Sequence, residues 1–485
     1  MKAGTVTLIV LVALSGCRLA PLQKPAGHPD FRLSESDIQY ARALAHYGRG
    51  ILAEHDSDLS GREAAKHFLK AGQLDRESHR PYSRAALNLL KANMPDEALA
   101  ALQEACEKDP HSIFRWIDLA TMSHLLQRYQ LARDAYNKAL ELDPEATFIR
   151  INLAKIDFVQ QYDESALKLL EQGLQHEPES PAIISYVYDQ AIEFIKLNAP
   201  ERALPCLLFL ADNVADQRGR FLHLAGELKE QLKAPETAIA LYRKAVRQPD
   251  ALPETFLNLA VLRAESDITE SISILSDGLK RYAGSPALLY AAGFLHAATG
   301  EYEKAVEQLD MFVGGVGRQQ ALRLGSDFLM VYASSKERIG AHDEAEVLFE
   351  HCIAYYPDHH EALNYLAYMW AELGINLETA LEYVNRALAH EPENAAYIDT
   401  LGWIYFKMGR YDEALEELLK AHNILPDDPV VADHVGDVYF ALGHRQKAIK
   451  FWRHSLKNAP ENEDEIIAKM KKLDAVSNKG DLLNK

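Results

Sequence analysis

The sequence predicts an all-α solenoid of about twelve helix–turn–helix repeats, and two recurrences and one choice of residue type carry the prediction. The first recurrence is a small residue that opens every second helix: Ala65, Ala98, Ala132, Ala166, Ala203, Ala238, Ser271, Ala305, Ala345, Ala380, Ala414 and Ala448. Successive gaps are 33, 34, 34, 37, 35, 33, 34, 40, 35, 34 and 34 residues. A near-constant interval of this size marks a stack of identical supersecondary units. The second recurrence is proline at the places where a helix pair should end: Pro110, Pro144, Pro178, Pro357, Pro392, Pro426 and Pro460. Proline cannot continue a helix. The third observation is the placing of small residues where antiparallel helices would touch, as at Gly402. A mid-helix glycine costs about 1 kcal/mol against alanine, so its presence implies that a neighbour needs the room.

Residues 395–428, AAYIDTLGWIYFKMGRYDEALEELLKAHNILPDD, are the clearest copy. They read as two amphipathic helices joined at Gly409-Arg410 and closed by Pro426, with Leu401, Tyr405, Leu418 and Leu419 as the large apolar set. Gly402, Ala414 and Ala421 are the small set. This pattern resembles the tetratricopeptide repeat, in which a leucine is followed by a small residue, then an aromatic, then the alanine of the second helix and a terminal proline. Trp116 and Tyr82 occupy the aromatic position in earlier copies. The resemblance implies a right-handed superhelical array.

Taken in order, residues 1–16 have one basic residue, Lys2, and an apolar run from Val6 to Leu14. That run is too short to span a bilayer but long enough for a signal-peptide core. It ends in Leu14-Ser15-Gly16-Cys17, which resembles the bacterial lipobox and implies that Cys17 is acylated. Arg18 stands where an aspartate would favour inner-membrane retention, so the resemblance implies a protein anchored in the outer membrane and facing the periplasm. Residues 17–33 carry Pro21, Pro25, Gly27 and Pro29 without periodicity and read as a tether. Such a chain spans roughly 20 to 25 Å. Ser34-x-x-Asp37 is a helix start. The array is expected over residues 34–462, irregular near 184–217 and near 313–325, where a break is expected to let the array flex. Residues 463–485 are expected to form a polar capping helix, Glu463 to Ala475, and a tail, because the last repeat would otherwise expose its stacking face.

At 485 residues the chain exceeds a single ordinary core, and 48% hydrophobic with 25% charged residues is the composition of a folded protein. A formal charge of −19 opposes non-specific binding to nucleic acid, which needs a basic face. Of the four cysteines, Cys106, Cys206 and Cys352 fall at apolar positions of second helices and read as buried inert thiols. No CxxC or zinc-spaced Cys/His set occurs, so neither a metal nor another cofactor is expected. Gly314-Gly315-Val316-Gly317 lacks a following GK[ST] and reads as an inter-helix loop. His360-Glu361-Ala362-Leu363-Asn364 lacks the second histidine of a zinc-protease helix, so His359 and His360 read as a solvated helix start. With no nucleophile, acid/base pair or metal set to single out, the chain is not expected to be an enzyme.

What remains is surface. In the family that the repeats resemble, ligands lie on a concave face lined by first helices, at fixed positions of each repeat. Carried onto this sequence, those positions are Phe148, Ile151 and Phe158 in one repeat and Phe114, Ile117 and His124 in the one before it. Asn364 and Tyr368 follow near the C-terminus, and the last two repeats add Asp399, Trp403, Phe406, Lys407, Asp433, Asp437 and Phe440. Trp403 and Phe406 are the leading choices, because Gly402 and Tyr405 fix their register. Exposed aromatics at such positions would make a binding patch. LNYLAYMW, IDTLGWIYFKMGRYDEAL and GDVYFALG resemble long tetratricopeptide lipoproteins of Gram-negative envelopes. That resemblance implies a non-enzymatic scaffold whose partners are other envelope proteins, a C-terminal processing protease and its peptidoglycan hydrolase substrates among them. The alternative is a scaffold subunit of an outer-membrane assembly or exopolysaccharide export complex.

Overall fold

A computed structural model describes residues 33–56 and 61–472. Cys17, the tether and the tail beyond residue 472 lie outside the described residues. Contacts divide the chain into two compact units, one ending at Ala251 and the other starting at Leu252.

The first unit holds six helix pairs: α1 (Glu35–His55) with α2 (Gly61–Leu74), α3 (Arg80–Lys91) with α4 (Pro95–Lys108), and α5 (Ile113–Leu125) with α6 (Tyr129–Leu142). These are followed by α7 (Thr147–Val159) with α8 (Asp163–His176), α9 (Pro181–Lys196) with α10 (Pro200–Asn213), and α11 (Arg218–Gln231) with α12 (Pro235–Ala245). The start of α1 is capped as its sequence implies. Ser34 Oγ accepts from the Asp37 amide and Asp37 Oδ2 from the Ser34 amide, each at 3.1 Å.

The second unit holds six more: α13 (Pro253–Ala264) with α14 (Ile268–Arg281), α15 (Pro286–Ala298) with α16 (Tyr302–Val316), and α18 (Ser326–Arg338) with α19 (His342–Tyr355). Then come α20 (His360–Leu373) with α21 (Leu377–His390), α22 (Ala395–Lys407) with α23 (Tyr411–Ile424), and α24 (Pro429–Ala441) with α25 (Arg445–Lys457). A last helix covers 463–472. The 40-residue gap between Ala305 and Ala345 is taken up by helix rather than by a loose loop. Gly314 and Gly315 belong to the last turn of α16, Gly317 breaks it at φ 91°, and the short α17 (Arg318–Ala321) fills the connection. The expected flex point therefore lies inside the second unit, whereas the division falls at Ala251–Leu252.

All twelve small residues that open second helices are fully buried. They sit where the two helices of a pair meet, and Ser271, the one polar member, donates its hydroxyl to the Ala260 carbonyl at 2.6 Å. Gly402 is needed for the same reason. A Cβ there would lie 2.6 Å from Leu418 Cγ, and one on Gly436 would lie 2.4 Å from Trp452 Cδ1. Within each unit the helices pack on their neighbours in sequence, and several first helices also touch the first helix of the next pair, as α20 touches α22. Contacts of that local kind are what a stacked array requires.

Candidate functional site

In the second unit the first helices of five successive pairs, α15, α18, α20, α22 and α24, line one cavity of about 580 Å³. Its wall is mixed. Val331, Met369, Val430 and Val431 are apolar, Tyr302, Tyr365 and Tyr368 present phenols, and Glu337, Arg338, Asp399 and Asp428 are ionisable. Burial holds the Glu337 carboxyl above its usual range against the opposing pull of Arg338 and His342, and Glu372 adds to the rise. Burial likewise raises the Tyr365 and Tyr368 phenols. Asn364 Oδ1 is buried without a hydrogen-bond partner among the described residues. A buried acceptor left unpaired costs about 1–3 kcal/mol.

Arg338 closes one end of this wall. Its guanidinium lies over the Tyr302 ring, 5.3 Å from the centroid, and donates to Glu461 Oε1 at 3.1 Å, although 123 residues separate the two.

Of the residues that the sequence pointed to, the structure brings Asn364, Tyr368 and Asp399 into this cavity. Asp399 itself and three others lack the exposure expected of a binding surface. Trp403 is 6% exposed, its ring stacked 3.9 Å from His434 and 4.8 Å from Phe406. Asp399 is 5% exposed and accepts from His434 Nδ1 at 3.0 Å through both oxygens, so it presents little free surface even at the cavity wall. Asp433 is 3% exposed and accepts from Asn462 Nδ2 and Lys469 Nζ. Phe158 is 4% exposed and packs edge-on against Phe194. The physical reason is common to all four: the first helix of the next pair, or for Asp433 the last helix, lies over the first-helix face that was read as open. Asp437 joins the Asp433 network, accepting from Lys469 Nζ at 2.7 Å and Trp452 Nε1 at 2.9 Å.

Phe406 and Lys407 are half-buried, and Lys407 Nζ donates to the Glu372 carbonyl at 3.2 Å. Phe440 is 47% exposed beside Trp452. In the first unit Phe114 and Phe148 are exposed, while Ile117, His124 and Ile151 are half-buried.

Sequence reading missed Val331, Ser334, Glu337, Arg338 and Tyr365. The first four sit on α18, directly after the long connection that blurs the repeat register. His359 caps α20 by accepting the Ala362 amide at 3.2 Å, and His360 pairs with the Tyr397 hydroxyl at 2.8 Å. Cys106, Cys206 and Cys352 are buried free thiols, and burial pushes their pKa values up to about 12, 12 and 11. Thiols in that state are poor nucleophiles. Among the described residues no group of three or more His, Cys, Asp or Glu could hold a metal ion, and no helix is long and apolar enough to cross a membrane.

Family models described as tetratricopeptide repeat match residues 83–147, 182–378 and 376–438. The chain is a tetratricopeptide-repeat protein. The helix pairs of each unit agree with that family in fold. Among solved structures, yeast Tom70 is similar at 14% identity, covering 82% of this chain and 96% of that one with a TM-score of 0.31. The Naa15/Naa10 complex bound to HypK-THB is similar at 17% identity, covering 85% of this chain and 62% of that one, TM-score 0.32. MamA from AMB-1 is similar at 21% identity over 35% of this chain and 96% of that one, TM-score 0.30. No curated protein matches the sequence.

Proposed function

We propose that this tetratricopeptide-repeat protein is a non-catalytic scaffold that holds other proteins at the bacterial envelope, tethered through an acylated Cys17 in the outer membrane and facing the periplasm. The partners that its family resemblance implies are a C-terminal processing protease and the peptidoglycan hydrolases on which it acts. The observation that carries the binding role is the cavity built by five consecutive first helices, with a buried Asn364 carbonyl that lacks a donor. A partner segment lying along those helices supplies apolar contact to Val331, Met369 and Val431 and an N–H to Asn364. Repeat arrays bind in this way because one curved wall is assembled from many small units.

The test is co-purification from native envelopes with the chain carrying Cys17→Ser as bait, alongside the same bait with Tyr365→Ala and Glu337→Ala. Recovery of a processing protease or a hydrolase with the first bait, reduced about tenfold with the second, is the expected result. Recovery of neither with the first bait removes the adaptor role.

A further inference from the structure

We propose that the first helix pair carries a membrane contact of its own, a basic patch on α1 and α2 that docks against the headgroup phosphates of an anionic bilayer. The chain as a whole has a formal charge of −19, so its body is repelled by such a surface. Against that background Arg42 and Arg49 are exposed two turns apart on α1, and Arg62, Lys66 and Lys70 are exposed at four-residue spacing on α2. Residues at that spacing share a helix face.

The two stripes are continuous. A shallow cavity of about 280 Å³ is lined by Leu33, Ile38, Arg42 and Arg49, and one of about 650 Å³ by Arg62, Lys66, His67 and Lys70. They meet at His46, which lines both and whose Nδ1 lies 3.4 Å from His67 Nδ1. Burial pushes the His46 imidazolium down, and the positive charges of His67, Arg49 and Lys70 push it further, as expected where cations gather. Two carboxylates, Glu63 and Glu97, line the larger cavity, and Glu63 lies 3.9 Å from Lys66. Arg42, Arg62 and Lys70 make no ion pair among the described residues. Among the residues lining the two cavities the five cations therefore outnumber the two carboxylates, with Glu35 and Asp37 exposed nearby in the first turn of α1.

Two further features choose a bilayer over an acidic protein. Leu33 and Ile38 are 45% and 39% exposed and share their cavity with Arg42, so apolar side chains stand beside the cations. That combination suits the headgroup boundary of a membrane. The described chain also starts at this patch, at Leu33, sixteen residues after Cys17. However it is arranged, a chain of sixteen residues reaches at most about 58 Å, which limits how far the patch can lie from the surface that holds the acyl chain. In this respect the proposal rests on the anchoring proposed above.

The test is independent of that anchoring. The full chain carrying Cys17→Ser is mixed with vesicles of phosphatidylcholine alone and with vesicles containing one-third phosphatidylglycerol. Each cation near an anionic surface contributes about a fivefold gain in binding, so the phosphatidylglycerol vesicles should be bound about tenfold or more tightly than the neutral ones. The preference should shrink as salt is raised and vanish in Arg42→Glu/Lys70→Glu, or be cut severalfold in the milder Arg62→Gln/Lys70→Gln if the charge reversals unfold the first pair. Equal binding to both vesicles, or a preference that survives the substitutions, overturns the proposal. Metabolic labelling of the unmutated chain with a fatty acid reads the anchor separately.

Discussion

Trp403 shows how much a single side chain can depend on the next repeat. Gly402 lets α22 approach Leu418, and that contact fixes the register of Trp403 on its own helix. What covers it is His434, 31 residues later on α24, with Phe406 stacked beside it. Local pattern sets which way a helix faces within its pair, whereas burial by the following pair depends on a residue that carries no signature of its own. Trp403→Ala should therefore cost about 3–5 kcal/mol of stability, read as a lower urea midpoint with partial loss of helicity. His434 adds a pH dependence. Burial alone lowers the pKa of its imidazolium, but the Asp399 carboxylate, aided by Asp433 and Glu372, outweighs this and holds it above the ordinary 6.5. A raised folded pKa means that the stabilisation is fully present below 6.5 and is lost as pH rises through the folded value. The urea midpoint of the second unit should fall as pH is raised above 6.5, and the slope should flatten in His434→Gln. An unchanged slope would exclude the pair as its source.

At the scale of elements, the helices were legible because their signals are local. The buried small residues, the closing prolines and the Ser34 capping box each act within one pair, and each stands where the sequence placed it. The connection between Ala305 and Ala345 was not legible, because α16 extends through two glycines that read as a loop. A helix tolerates such glycines at a cost of about 1 kcal/mol each when its other contacts suffice. The capping helix was visible as a polar stretch, but its attachment was not. Lys469 reaches back 32 and 36 residues to Asp437 and Asp433. Burial alone lowers the Lys469 ammonium pKa, but Asp437 and Asp433 together hold it raised. Removing that ammonium leaves buried carboxylates without their counter-charge. Lys469→Ala should cost about 3 kcal/mol and release the last helix, seen as faster amide exchange over residues 463–472.

At the scale of the whole molecule, each unit has its own core. The first is filled around Phe68, Tyr136, Leu170 and Leu210, the second around Phe328, Phe349, Leu366 and Ile404. Contacts between near neighbours in sequence make stability a sum over repeats and their interfaces. A fragment of residues 252–472 should therefore fold alone, with a cooperative urea transition and the helicity of six pairs, and a fragment without a transition would contradict this. The cavity lined by the five first helices lies within that fragment. Which residues line it was only partly legible, since an array's inner wall depends on how successive pairs are turned, and no single pair encodes that turn.

Arg338 belongs both to the cavity wall and to its pair with Glu461, just ahead of the final helix. An exposed pair of this kind contributes at most about 1 kcal/mol, so a carboxylate on an incoming segment can take its place at little cost. If the cavity takes such a segment, its binding should quicken amide exchange over residues 461–472, and Arg338→Ala should do so without any ligand.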